Sequence, residues 1–253
     1  MKQFTRALVA AFTVTMITLP SALSAQALPS AKEVLDRHVT AIGGRDAVMA
    51  ITSVQQKGTL ELAAMGISAE LTVAMAKPNK MTTTTSIPGL GEMQQGFNGE
   101  IAWDNNPMQG PRIAEGEELA NRKEASNFAE GFGIYDAEKF TSMEVVEKTL
   151  FAGEDAYKVK MVRKVGPISN DYFSVATGLR IGQQTSAVTP MGEIEINAVM
   201  SDYKQFGPLK MATKMATSQA GNDITMTFTD ITFNAVKDDA FALPAAVKAL
   251  VKP

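Results

Sequence analysis

The stretch GEIEINAVMSDY, residues 192–203, alternates without a break: Ile194, Ile196, Ala198 and Met200 share one phase, Glu193, Glu195 and Asn197 the other. A period of two is the mark of a β-strand with one buried and one wet face. Working outward, the same texture recurs. Downstream lie Leu209 to Ser218 and Asp223 to Phe233; upstream lie Leu179 to Ser186, Asp171 to Val175, Ala156 to Arg163 and Thr141 to Phe151. Short turn signals such as Gly153-Glu154-Asp155, Thr177-Gly178 and Gly221-Asn222-Asp223 separate them, which predicts consecutive antiparallel pairing. In the last strand Ile224, Met226 and Phe228 share a phase that Ile231 and Phe233 miss by one residue, so a β-bulge is expected near Thr229-Asp230.

The first half carries four more strands: Thr59 to Ala64, Ile67 to Lys77, Lys80 to Ile87, and Ile101 to Asp104 after an Asn98-Gly99 hairpin tip. Asn105 to Arg112, with Pro107, Gly110 and Pro111, reads as a loop. Helical spacing appears in three places. Ser30 to Ile42 opens with a Ser30/Glu33 capping box and stops at Gly43-Gly44, Arg45 to Ile51 follows, and Ala114 to Phe128 interrupts the strand series. The expected fold is mainly β with α (α+β): about eleven strands in a large curved antiparallel sheet, forming an unclosed half β-barrel with helices as plug or lid.

Residues 1–27 read as a cleaved secretory signal: Lys2 and Arg6, an apolar run from Ala7 to Leu19, Pro20, then Ala25-Gln26-Ala27. Residues 28–253 show no linker, repeat or composition break, so one domain is expected, exported to the periplasm. Loss of Lys2 and Arg6 takes the basic count from 24 to 22 against 27 acidic residues, a net charge of −5. That sign disfavours nucleic acid. The chain has no cysteine, which removes disulfides, thiolate nucleophiles and thiolate metal sites, and closes the acylated-cysteine route to a membrane anchor. No integral membrane segment is expected after signal cleavage.

Catalytic parts are scarce. His38 is the single histidine and sits on the apolar face of the first helix, where packing is the simpler role. The carboxylates Glu115, Glu117 and Glu118 fall in the first turns of a helix, which suits its dipole, and Glu193 and Glu195 fall on a wet strand face. No catalytic residue, metal or cofactor is therefore assigned. The candidate site is instead an apolar cavity lined by inward phases: Leu60, Leu62, Leu71, Val73, Met75, Ile194, Ile196, Met200, Met226 and Phe228. Trp103 either borders its mouth at the rim or plugs the core beneath the loop that follows. Met75, Met200 and Met226 suit a surface that accepts varied apolar partners, and they equally suit filling gaps in an uneven core.

Several short elements occur in an order that resembles a known family. They are Ala41-Ile42-Gly43-Gly44 ending the first helix, Gly96-Phe97-Asn98-Gly99 before Ala102-Trp103, Tyr172-Phe173 before Thr177-Gly178-Leu179, Asp202-Tyr203 before Phe206-Gly207-Pro208-Leu209, and Phe241-Ala242-Leu243-Pro244. The chain is similar in these to the outer-membrane lipoprotein carrier and sorting (LolA/LolB-like) family. The resemblance implies an unclosed barrel, a helical lid and a cavity for acyl chains. It also implies a partner that is a lipid or a lipoprotein acyl chain, in a non-enzymatic carrier. The missing cysteine departs from the membrane-anchored acceptors of that family. The alternative is an envelope sensory or protein-interaction module that transports nothing.

Overall fold

Ser30 opens the first helix. Its hydroxyl accepts the Glu33 backbone N–H at 3.3 Å while the Glu33 carboxylate accepts the Ser30 N–H at 2.7 Å. This capping box satisfies two of the orphan donors of α1 (Ala31–Ala41). The computed structural model describes residues 27–189, 192–219 and 222–251. The secretory signal read at residues 1–27 lies, except for Ala27, outside them. A second helix, α2 (Arg45–Ala50), follows at once. Between the two, Gly43 at φ +135° passes so close to the next layer that a Cβ there would stand 2.4 Å from the Pro208 carbonyl oxygen. The neighbouring Ile42 carbonyl accepts the Lys210 N–H at 2.8 Å, which fixes the end of α1 to the sheet.

The sheet has thirteen strands, two more than the alternation predicts. They are β1 (Ser53–Leu62), β2 (Ile67–Ala76), β3 (Lys80–Ile87), β4 (Gly91–Phe97), β5 (Ala102–Asn106), β6 (Gly110–Ala114), β7 (Phe140–Phe151), β8 (Glu154–Arg163), β9 (Ser169–Ser174), β10 (Arg180–Thr189), β11 (Gly192–Phe206), β12 (Leu209–Gln219) and β13 (Asn222–Phe233). The additions are β4 and β6. The segment read as a loop over Asn105 to Arg112 is in fact the hairpin of β5 and β6, turning at Pro107 to Gln109. Its polar, proline-bearing composition hides it, and proline is tolerated because β6 is an edge strand.

Strand order is β6-β5-β4-β3-β2-β1-β13-β12-β11-β10-β9-β8-β7, antiparallel throughout. The β1–β13 pair joins the first strand to the last, and the bulge falls where the phase shift placed it: Lys57 opposes Asp230 and Gly58 opposes Phe228, leaving Thr229 unpaired. The sheet remains unclosed, with β6 and β7 as its two edges. The chain between them holds α3 (Gly116–Ala125) and 3-10 turns at Glu130–Phe132 and Ala137–Lys139. Helix is thus shorter there than the Ala114 to Phe128 reading, because Asn127 caps a 3-10 turn instead, its Oδ1 accepting the Ala129 and Glu130 N–H groups.

Register sorts the side chains by face, since directly opposed residues project to the same side. The inner face carries Val54, Leu60 and Leu62 of β1, Leu71, Val73 and Met75 of β2, and Met226, Phe228 and Ile231 of β13. One end of this face is buried under α1, α2 and the 126–135 segment. Ile42, Val48, Ile51, Phe128 and Phe132 pack there on Val54, Leu71, Val73, Leu209 and Phe228. A second apolar cluster joins Val34 and Leu35 of α1 to Phe140, Val159, Met161 and Phe173. The outer face has its own cover near β3 to β6. Phe241 takes the Lys80 ammonium over its ring, and α4 (Ala245–Lys248) packs on β5 and β6 with Val247 wholly buried.

Candidate functional site

Two rows cross the inner face beyond the helices. In one, Ala69, Leu60, Met226, Met215 and Met200 oppose one another in turn across β2, β1, β13, β12 and β11. In the next, Ile67, Leu62, Ile224, Thr217 and Ala198 do the same. Ile194 and Ile196 continue the phase along β11. Leu60, Leu62, Ile67, Ile194, Ile196, Met215, Ile224 and Met226 are only half-buried, although they sit on the concave side of the sheet.

The residues expected to line a cavity therefore divide. Leu60, Leu62, Ile194, Ile196 and Met226 lie on the half-buried inner surface. Leu71, Val73 and Phe228 are packed beneath the helices with Met75 against them, and Met200 is buried on the same face. Trp103 is apart from all of these. It opposes Gly96 across β4 and β5 on the outer face, and the missing Gly96 side chain leaves room for the indole: a Cβ there would lie 2.9 Å from its ring. The hairpin position of Trp103 is visible in sequence, but its face depends on a register that two short polar strands set.

A hollow of about 300 Å3 opens on the inner face at the β3–β6 end. Thr83, Thr85, Met93, Gln95, Asp104 and Asn106 line it, all on the inward phase. An ion cluster closes one side. Arg112 grips Glu118 with two bonds of 2.6 and 2.8 Å and also pairs with Asp104. Arg122 donates to Asp104 and to Glu118, each at 2.9 Å, and to the Trp103 carbonyl oxygen at 3.2 Å. Hydrogen bonding from Arg112, aided by the charge of Arg122, holds the Glu118 carboxyl below the usual carboxylate range. Glu118 thus belongs to a network and not to a simple wet surface, while Glu195 is exposed as expected.

Under the helices lies a polar group that sequence reading missed. Asp171 is completely buried. Its carboxylate accepts Gln183 Nε2 at 3.0 Å, with Arg180 Nη1 and the Tyr135 hydroxyl each at 3.4 Å. Burial, reinforced by the Asp171 charge, pushes the Tyr135 phenol up, so it stays protonated and donates. His38 is nearby, its Nδ1–H donating to the Gly178 carbonyl oxygen at 3.3 Å and its ring edge-on to Phe173 at 5.4 Å. Burial, with the Arg180 charge beside it, lowers the imidazole to about 3, against a smaller opposing effect of the Gly178 bond. His38 is therefore neutral and enclosed at ordinary pH.

The crossing between β6 and β7 is tied down at several points. Arg163 pairs with Glu130 at 2.5 Å and lies over the Phe140 ring at 4.6 Å. Lys139 pairs with Glu124 at 2.8 Å, and the Phe128 N–H donates to the Pro78 carbonyl oxygen at 3.1 Å. Among the described residues no helix is long and apolar enough to cross a membrane.

No protein-family model matches the chain, and no curated protein sequence does. Solved structures do. A LolA superfamily protein from Nitrosomonas europaea aligns at a TM-score of 0.56 and 10% identity, over 85% of this chain and 99% of that one. A DUF1329 family protein from Desulfovibrio piger aligns at 0.58 and 11%, over 85% and 98%. An outer membrane lipoprotein-sorting protein domain from Vibrio parahaemolyticus aligns at 0.56 and 12%, over 83% and 97%. At such identities it is the architecture that is shared. The chain has the LolA-like fold, an unclosed antiparallel barrel with helices over one end of its concave face.

Proposed function

We propose that this chain is a periplasmic, non-enzymatic carrier or binding protein, one domain over residues 28–253. It holds a lipid, a lipoprotein acyl chain or another long apolar ligand against the inner face of the half-barrel. One observation carries the reading: Leu60, Leu62, Ile67, Ile194, Ile196, Met215, Ile224 and Met226 are contiguous, face inward and stay half-buried where the helices end. Removing such a surface from water is worth about 0.8 kcal/mol per methylene on the ligand side alone. Leu71, Val73, Met75, Met200 and Phe228 form the packed floor beside it, and Trp103 has no part in it. The likeness in fold to a lipoprotein-sorting domain supports the same ligand class, and the secretory signal supports the compartment. The enclosure of the lone histidine supports a protein that binds without reacting.

Native mass spectrometry of protein purified from the periplasm tests this. Lipid should copurify with the wild type and be lost from Leu60→Asp. Repeated lipid-free preparations, with no competition by apolar probes for the interior, would overturn it.

One feature favours the alternative, an envelope interaction module. The β7 edge is free and twelve residues long, with Val146 and Leu150 exposed along it. Such an edge can receive a partner strand. A pull-down recovering a protein partner and no lipid would establish that reading in place of the carrier.

A further inference from the structure

The hollow at the β3–β6 end differs in chemistry from the apolar rows, yet it belongs to the same face. Thr85 opposes Leu71 on one side and Met93 on the other, and Thr83 opposes Val73 and Gln95. The inner surface thus passes from hydrocarbon to hydroxyl and amide within one strand spacing. Thr83 and Thr85 are half-buried, and Gln95 is exposed. Their side-chain oxygens and nitrogen have no hydrogen-bond partner among the described residues, although the three line one cavity of about 300 Å3.

The charges beside them are spent. Asp104 and Glu118 are each shared by Arg112 and Arg122, two carboxylates against two guanidiniums. An anionic group in the hollow would meet Asp104 and find both arginines engaged. A cationic group would have to break the bidentate Arg112–Glu118 pair. Uncharged donors and acceptors fit without either cost, because hydroxyls can both give to and take from threonine and glutamine. A volume of about 300 Å3 is at the small end of ligand sites, enough for a compact head and too little for a long chain.

We propose that this hollow is a headgroup site, and that the ligand is an amphiphile with an uncharged, hydroxyl-rich head such as a glycerol or a glycosyl group. The head occupies the hollow, hydrogen-bonded to Thr83, Thr85 and Gln95, while the chain runs onto the half-buried inner rows at Leu60 and Ile67. The proposal rests on the carrier reading for the chain and adds the chemistry of the head.

Binding of 1-monopalmitoylglycerol, palmitate and free glycerol to the whole mature protein tests it, by native mass spectrometry with calorimetry. Wild type should prefer monopalmitoylglycerol over palmitate by about tenfold, the worth of one or two added neutral hydrogen bonds. Glycerol alone should not bind measurably. The near-isosteric double variant Thr83→Val/Gln95→Leu should bind palmitate as before and lose the preference. Equal binding of the two lipids by wild type, or a preference that survives the double variant, overturns the headgroup site and leaves the carrier reading standing. Glycerol binding as tightly as its lipid overturns the amphiphile and leaves a polyol site. If neither lipid binds, both readings fall together.

Discussion

The two ends of the concave face are built from the same strands and the same residue types, yet they behave as different surfaces. Under α1, α2 and the 126–135 segment, Leu71, Val73 and Phe228 are sealed and even a carboxylate, Asp171, is taken wholly out of water. Beyond the helices, Leu60, Leu62 and Met226 of the same strands remain half-buried. Hydrophobicity along a strand therefore does not distinguish a core from a receptive surface. What lies on top of it does.

The contrast can be broken most severely from the sealed side. Asp171→Ala leaves the mostly buried Arg180 without its carboxylate and should cost about 3–5 kcal/mol, read as a lower urea midpoint with an unchanged m-value. A matched pair of truncations sharpens it. Leu71→Ala should cost about 2–5 kcal/mol, the range for a sealed leucine, and leave apolar binding intact if the protein folds. Leu60→Ala should cost clearly less in denaturation while weakening binding of an acyl probe. Equal stability losses at the two positions would erase the distinction.

The smallest effect is a pH slope. His38 is neutral when folded, with its imidazole near 3, but gains a proton near 6.5 when unfolded. The unfolded state then binds more protons between those values, so stability falls as pH falls through that window. The wild type should lose roughly 1.4 kcal/mol per pH unit below about 6.5 relative to His38→Gln, compared by urea titration at pH 7, 6 and 5. Parallel curves would show that His38 is open to solvent.

Much of this was legible in the sequence, for identifiable reasons. The long strands announce themselves because one face is buried and one wet, and the bulge at Thr229 because a phase slip inverts every side chain after it. Several of the short family-like elements turn out to be where α1 docks. Gly43 sits on Pro208, and the Gly178 carbonyl receives His38. The misses have causes too. The β4–β6 hairpins mix polar and apolar residues on both faces, so alternation is silent there. The face of Trp103 follows from that same register. Asp171 and Arg180 sit on the two strands of the β9–β10 hairpin, and Tyr135 reaches them from the 126–135 segment, a meeting that no local pattern encodes.

The two free edges of the barrel are successive strands of the chain. Everything from Glu115 to Lys139 runs from the end of β6 to the start of β7, across the opening that those strands leave. A hatch hinged on one side can swing, whereas a strap fastened on both sides can only bow or follow its anchorages. Lifting this one either lengthens its path or draws β6 and β7 toward each other, so the width of the gap and access to the inner face form a single mechanical coordinate.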